Sequence, residues 1–132
     1  MLSSVASVVG HNEDRIWHLA FSHCGKYFAT CSEDKTVKVW ALKSDNSIVL
    51  MSTLEDVHTR TVRACEFSPD DELIASASFD GTVVIWENNS RTKCSNFDQI
   101  ASLEGHENEV KSVAWSAKGS FLATCGRDKK IW

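Results

Sequence analysis

The sequence predicts an all-β chain built from repeated antiparallel sheets, on three observations. Segments of the chain superimpose at a spacing of 46 to 48 residues, as in the pairs His11 and His58, His58 and His106, and Trp40 and Trp86. Within each segment, short runs rich in Val, Ile, Phe, Trp and Thr alternate apolar with polar residues and are broken by Ser, Gly, Pro or Asp. No stretch repeats its apolar residues at the spacing of an amphipathic helix.

The elements then follow in the same order in each copy. Residues 15 to 22, 61 to 68 and 109 to 116 read as first, inner strands. The turns HCGK, PDDE and AKGS lead into second strands at about 26 to 33, 72 to 79 and 120 to 127. Third strands end on Trp40 and Trp86, segments 47 to 54 and 98 to 103 supply outer strands, and ENNSRTKCSNF at 87 to 97 forms one long polar loop. The divisions expected are an outer strand at 1 to 9, a first unit at 10 to 54, a second at 55 to 103 and an incomplete third at 104 to 132.

Composition narrows the function classes. With 132 residues, 42% hydrophobic and 24% charged, the chain matches one ordinary folded domain. The net charge is -4 and Lys and Arg are scattered singly among acids, which argues against direct nucleic-acid binding. The opening MLSSVASVV lacks the basic start and long apolar centre of a secretory signal, and no run approaches the roughly 20 apolar residues that span a bilayer. Five cysteines without a C-x-x-C pair suit a reducing compartment. Cys31 and Cys125 hold the slot that Ala77 fills in the second copy, so they read as small apolar fillers inside the sheets. No cofactor or metal ligand set is expected, with a zinc- or cluster-carrying protein as the rival.

The repeat carries one polar constellation in register: His11, Thr30, Asp34 and Trp40, then His58, Ser76, Asp80 and Trp86, then His106, Thr124 and Asp128. A buried imidazole and a buried carboxylate are costly alone but tolerated once each hydrogen bond is answered. Ser76, His58 and Asp80 have the residue types of a hydrolase triad. Catalysis needs one such set in a cleft, whereas the same trio in every unit points to a folding requirement, so no catalytic residue and no enzyme is expected.

These units resemble the WD repeat, whose signature is a GH pair, an Asp and a closing Trp-Asp within about 40 to 45 residues. Gly10-His11 and Gly105-His106 match, while His58 follows Val57, and Ala41 and Glu87 replace the Asp after each Trp. The resemblance implies a WD40 β-propeller of which about 2.7 blades are present, out of about seven in a complete ring. Trp132 is not the third blade Trp. It lies four residues after Asp128, where Trp40 and Trp86 lie six after their Asp, so it aligns with Lys38 and Val84 inside a third strand. A piece of a longer chain, or a ring closed by several copies, are the two expectations.

Two stretches resemble one branch of the class more closely. RTVRACEFSPDDELIASASFDGTVVIW, residues 60 to 86, and LEGHENEVKSVAWSAKGSFLATCGRDKKIW, residues 103 to 132, are similar to the WD-repeat subunit of the cytosolic iron-sulfur protein assembly targeting complex. That resemblance implies a non-catalytic scaffold that docks a HEAT-repeat adaptor, a small second targeting subunit and an iron-hydrogenase-like carrier. It would help deliver clusters to iron-sulfur apoproteins, in the cytoplasm and also the nucleus. A WD-repeat adaptor of a signalling or ubiquitin-ligase complex is the rival. In such propellers partner contacts come from residues flanking the inner-strand Val and from the residue before the network Asp. These are Arg15, Trp17, Thr61, Arg63, Glu109, Lys111, Glu33, Phe79 and Arg127, and the partner-binding set expected here is Arg127, Arg63, Lys111, Trp17, Phe79 and Arg15. Arg127 is the first choice, because a guanidinium can hold a partner carboxylate or carbonyl through paired hydrogen bonds.

Overall fold

The computed structural model of the chain describes residues 1–90 and 93–132, and every element in it is a strand. The first sheet holds β1 (Ile16–Phe21), β2 (Tyr27–Ser32), β3 (Val37–Leu42) and β4 (Ile48–Leu54). The second holds β5 (Val62–Phe67), β6 (Leu73–Ser78), β7 (Val83–Asn88) and β8 (Phe97–Leu103), and the third holds β9 (Val110–Trp115) and β10 (Leu122–Gly126). Within each sheet every strand pairs antiparallel with the next in sequence, giving two complete four-stranded meanders and a partial third sheet. Tight turns between short alternating runs leave the chain no closer partner than the strand it has just left.

The sheets stack face to face, β5 against β1 and β2, and β9 against β5 and β6. One core joins Ala29, Cys31, Val37, Val39 and Leu54 of the first sheet to Val62, Cys65, Phe67, Ile74 and Trp86 of the second. Another joins Ala75, Ala77, Val83 and Ile85 to Val110 and Val113. The second strands explain the close stacking. β2 and β6 are buried along almost their whole length and carry Ala, Cys, Ser and Thr, small side chains that let neighbouring sheets approach. Outer strands β4 and β8 keep an exposed side.

Residues 1 to 9 join neither complete ladder, each of which has its own fourth strand. Two expectations are corrected. The long loop is shorter than expected, since β7 runs to Asn88 and β8 begins at Phe97; Arg91 and Thr92 of that loop lie outside the described residues. Cys125 is exposed, unlike Cys31 and Ala77 at 0%, because no further sheet covers β10 among the described residues. Trp132 pairs with Thr124 through two backbone hydrogen bonds of 3.0 Å. That is the place of Lys38 opposite Thr30 and of Val84 opposite Ser76, which is the register its spacing from Asp128 indicates.

Candidate partner-binding face

A buried relay fastens each sheet. In the first, the Trp40 indole N–H donates to Thr30 Oγ1 at 2.8 Å, the Thr30 hydroxyl donates to His11 Nε2 at 2.7 Å, and His11 Nδ1–H donates to Asp34 Oδ2 at 2.8 Å. The carboxylate can only accept, so Nδ1 carries the proton and Nε2 takes the hydroxyl. The second sheet repeats it, with Trp86 to Ser76 at 2.8 Å, Ser76 to His58 at 2.8 Å and His58 to Asp80 at 3.0 Å. In the third, Thr124 reaches His106 and His106 reaches Asp128, each at 2.8 Å. There the relay lacks its indole member, and the ring of Trp132 instead stands edge-on to His106 at 6.0 Å.

The second oxygen of each Asp shapes a turn. Asp34 Oδ1 accepts from the amide and hydroxyl of Thr36, and Asp80 Oδ1 accepts likewise from Thr82. Between the partners sit Lys35, Gly81 and Lys129 with φ of 71, 91 and 66 degrees. A Cβ on Gly81 would also lie 3.2 Å from the His106 carbonyl, tighter than an ordinary contact, so glycine eases both the left-handed φ and the close approach there. Burial pushes each carboxyl up, but hydrogen bonds outweigh it and hold Asp34, Asp80 and Asp128 below their ordinary range. The donors are the turn hydroxyls or amides and the imidazole of each sheet. His11 is lowered by burial, against the pull of Asp34. Ser76 is 0% exposed and its oxygen already serves Trp86 and His58, so no substrate reaches it as a nucleophile.

The turns and inner-strand starts present one outward face. In every inner strand the ladder skips one residue: Trp17 between Ile16 and His18, Arg63 between Val62 and Ala64, and Lys111 between Val110 and Ser112. Each is the unpaired residue of a β-bulge, a device that turns a side chain out of the regular alternation. The bulged side chains meet across the sheet boundaries. The Arg63 guanidinium lies 5.4 Å over the Trp17 ring, Lys111 Nζ lies 3.9 Å over the Phe79 ring, and the two rings are 6.5 Å apart.

A second row flanks the first. Backbone hydrogen bonds place Glu33 opposite Arg15, Phe79 opposite Thr61 and Arg127 opposite Glu109, so these pairs are equivalent in the three sheets. The first and third carry opposite charges in reversed order: Arg15 to Glu33 at 3.9 Å, and Arg127 to Glu109 at 3.2 Å. Arg60 joins the third pair from the neighbouring sheet, 3.8 Å from the same Glu109 oxygen, while its other terminal nitrogen donates to the Phe79 carbonyl at 2.7 Å. The Glu109 carboxyl is held below its ordinary range, first by its own backbone amide and then by Arg127.

Of the residues expected from the sequence, Arg63, Lys111, Trp17 and Phe79 form one continuous cluster. Arg127 stands beside it through Glu109, whose neighbour Val110 precedes Lys111. Arg15 is set apart on the first sheet, with its only charged partner among the described residues in Glu33. Arg60 was missed, because the repeat gives Asp14 and Asn108 at its place and so no pattern to recognise. A cleft of roughly 970 Å³ opens elsewhere, between the turns of the first two sheets and the loop after β7, lined by Cys24, Tyr27, Asp71, Glu87 and Cys94 among others. Among the described residues no three His, Cys, Asp or Glu side chains gather as metal ligands.

Known proteins give the fold a family. The model of the WD domain, G-beta repeat family matches residues 2–41, 48–87 and 97–132. The chain is 41% identical over 129 residues to the probable cytosolic iron-sulfur protein assembly protein CIAO1 homolog of Caenorhabditis elegans, covering 93% of this chain and 37% of that protein. It is 36% identical over 148 residues to the probable cytosolic iron-sulfur protein assembly protein 1 of Scheffersomyces stipitis, covering 100% and 41%. A probable cytosolic Fe-S cluster assembly factor of Schizosaccharomyces japonicus is 42% identical over 126 residues, covering 95% and 19%. The chain thus spans about two fifths or less of the relatives it matches. With the repeat matched three times and its His, hydroxyl and Asp joined in the same order in each match, the chain belongs to the WD domain, G-beta repeat family.

Proposed function

We propose that the chain is part of a non-catalytic, cytosolic scaffold for iron-sulfur protein assembly, and that the face bearing Trp17, Arg63, Phe79, Lys111 and Arg127 receives its partner proteins. The observation that carries this reading is the row of bulged residues. Three successive sheets each spend an unpaired residue on an aromatic or cationic side chain, and these side chains pack on one another or on Phe79 outside the core. Aromatic residues and Arg dominate binding hot spots, and a rigid sheet edge holds them without a folding cost on contact. The names of the relatives supply the pathway.

The partners implied are a HEAT-repeat adaptor, a small second targeting subunit, an iron-hydrogenase-like carrier and iron-sulfur apoproteins. The test is affinity purification of the tagged chain from cytosol, with identification of the bound proteins, for wild type and for Trp17→Ala with Lys111→Ala. Iron-sulfur assembly subunits captured by the wild type and lost by the double variant are the expected result. Capture of signalling or ubiquitin-ligase components alone would overturn the pathway. Equal capture by both proteins would overturn the face.

A further inference from the structure

We propose that Arg60 and Arg127, bridged by Glu109, form a paired-guanidinium site that takes a side-chain carboxylate from an acidic segment of a partner protein. This rests on the reading that the face binds proteins and adds the chemistry of what is bound.

The two guanidinium groups come from different sheets, Arg60 from the loop before β5 and Arg127 from the turn after β10, and both reach the carboxylate of Glu109. One oxygen, Oε1, lies 3.2 Å from Arg127 Nη1 and 3.8 Å from Arg60 Nη2, and its side chain is only 13% exposed while the arginines are 68% and 57% exposed. The carboxylate therefore sits beneath and between the cations and offsets their repulsion, leaving their outer N–H groups facing solvent. Each guanidinium carries five N–H donors, so one shared anion does not saturate the pair. Arg60 is further fixed by its bond to the Phe79 carbonyl and by its place 6.0 Å from that ring. Fixing two donors in advance lowers the entropy lost when an anion binds.

Charge complementarity selects the occupant. The chain as a whole is -4, yet the cluster at the starts of β5 and β9 gathers the cations Arg60, Arg63, Lys111 and Arg127 around the carboxylate of Glu109, with Glu107 beyond it paired to Lys130. An acidic segment lying along the row would meet Arg60 and Arg127 at one end and Lys111 and Arg63, poised over Phe79 and Trp17, at the other. Glu109 is a positioning residue in this scheme, since it touches the arginines and leaves the partner's carboxylate to them.

The experiment uses the 132-residue chain and a fluorescent peptide of alternating Asp and Gly with both ends capped, read by anisotropy at low salt. The Asp peptide is expected to bind and its Asn counterpart to fail. Arg60→Ala and Glu109→Gln should each weaken binding about three- to ten-fold, in the range for charge-assisted hydrogen bonds discounted for exposure. Glu109→Asp should restore part of the loss, which a residue serving stability alone would not do at unchanged melting temperature. Tighter binding by Glu109→Gln would make Glu109 a competitor and overturn the scheme. A phosphoserine peptide that binds where the Asp peptide does not would overturn the carboxylate assignment. If Arg60 and Glu109 variants bind like wild type while Trp17→Ala weakens capture, the arginine pair falls and the protein-binding face stands; if Trp17→Ala is also silent, the face falls.

Discussion

Replacing Thr30 by Val removes a hydroxyl and keeps the shape, so its effect isolates hydrogen bonding. Thr30 Oγ1 accepts from Trp40 and donates to His11, and both atoms are buried, with Trp40 5% and His11 2% exposed. The variant leaves two buried polar groups without partners. Each costs about 1 to 3 kcal/mol, giving a loss of about 2 to 6 kcal/mol, against about 5 to 15 kcal/mol for a typical domain. The same replacement at Thr124 strips a partner only from His106, because the indole that serves Thr30 has no counterpart in the third sheet. Its expected loss is about 1 to 3 kcal/mol. Urea unfolding of both variants, followed by tryptophan fluorescence and compared at equal m-value, measures the difference. A Thr124→Val loss equal to or larger than that of Thr30→Val would refute the idea that the relay is counted bond by bond.

Stability should fall on acidification in two stages. His11 is lowered from 6.5, so below that pH the unfolded chain takes up a proton the folded one refuses. Asp34, Asp80 and Asp128 are lowered from 3.8, so their contribution is complete above that value and lost as pH falls below it. Melting temperatures from pH 8 to 3 should therefore slope gently below about 6.5 and steeply below about 4, and a flat profile would contradict both directions. Gly126→Ala should cost about 1 to 3 kcal/mol in chemical denaturation, because its Cβ would lie 2.7 Å from the Glu109 carbonyl; an unchanged midpoint would show that this backbone yields freely. In native protein a disulfide reagent should modify Cys24 and Cys125 rapidly and Cys31, Cys65 and Cys94 only on unfolding. Cys94, pushed up to about 11 by burial, is the most informative of the slow three, since rapid labelling there would mean the loop opens in the folded state.

The fold was legible because alternation and repetition report the same thing from two sides. Trp40 and Trp86 hold equivalent places in β3 and β7, and the mismatch of Trp132 with its Asp spacing aligned it with Lys38 and Val84, whose partners Thr30 and Ser76 correspond to Thr124. The bulges were not legible. Alternation counts residues along one strand, whereas a bulge is a disagreement between two strands, visible only once Ile16 is seen opposite Ser32 and His18 opposite Cys31. Cys125 misled for a related reason, since its slot is filled in the other sheets by residues whose burial comes from the neighbouring sheet and not from their own. The residues expected to meet partners could be named from their repeat positions, but not their mutual contacts, which depend on how far one sheet is rotated past the next. Arg60 escaped altogether because only its own sheet has a cation there.

One consequence of the skipped residues concerns how such a chain can change over generations. Trp17, Arg63 and Lys111 occupy the same position in three sheets, one an aromatic ring and two of them cations of different shape, yet the strands on either side keep equivalent registers. A site that contributes no rung to the ladder can exchange its occupant without renegotiating the framework beneath it. Recognition and architecture are thereby written in separate alphabets, and new specificities can be acquired while the folding code stays as it was.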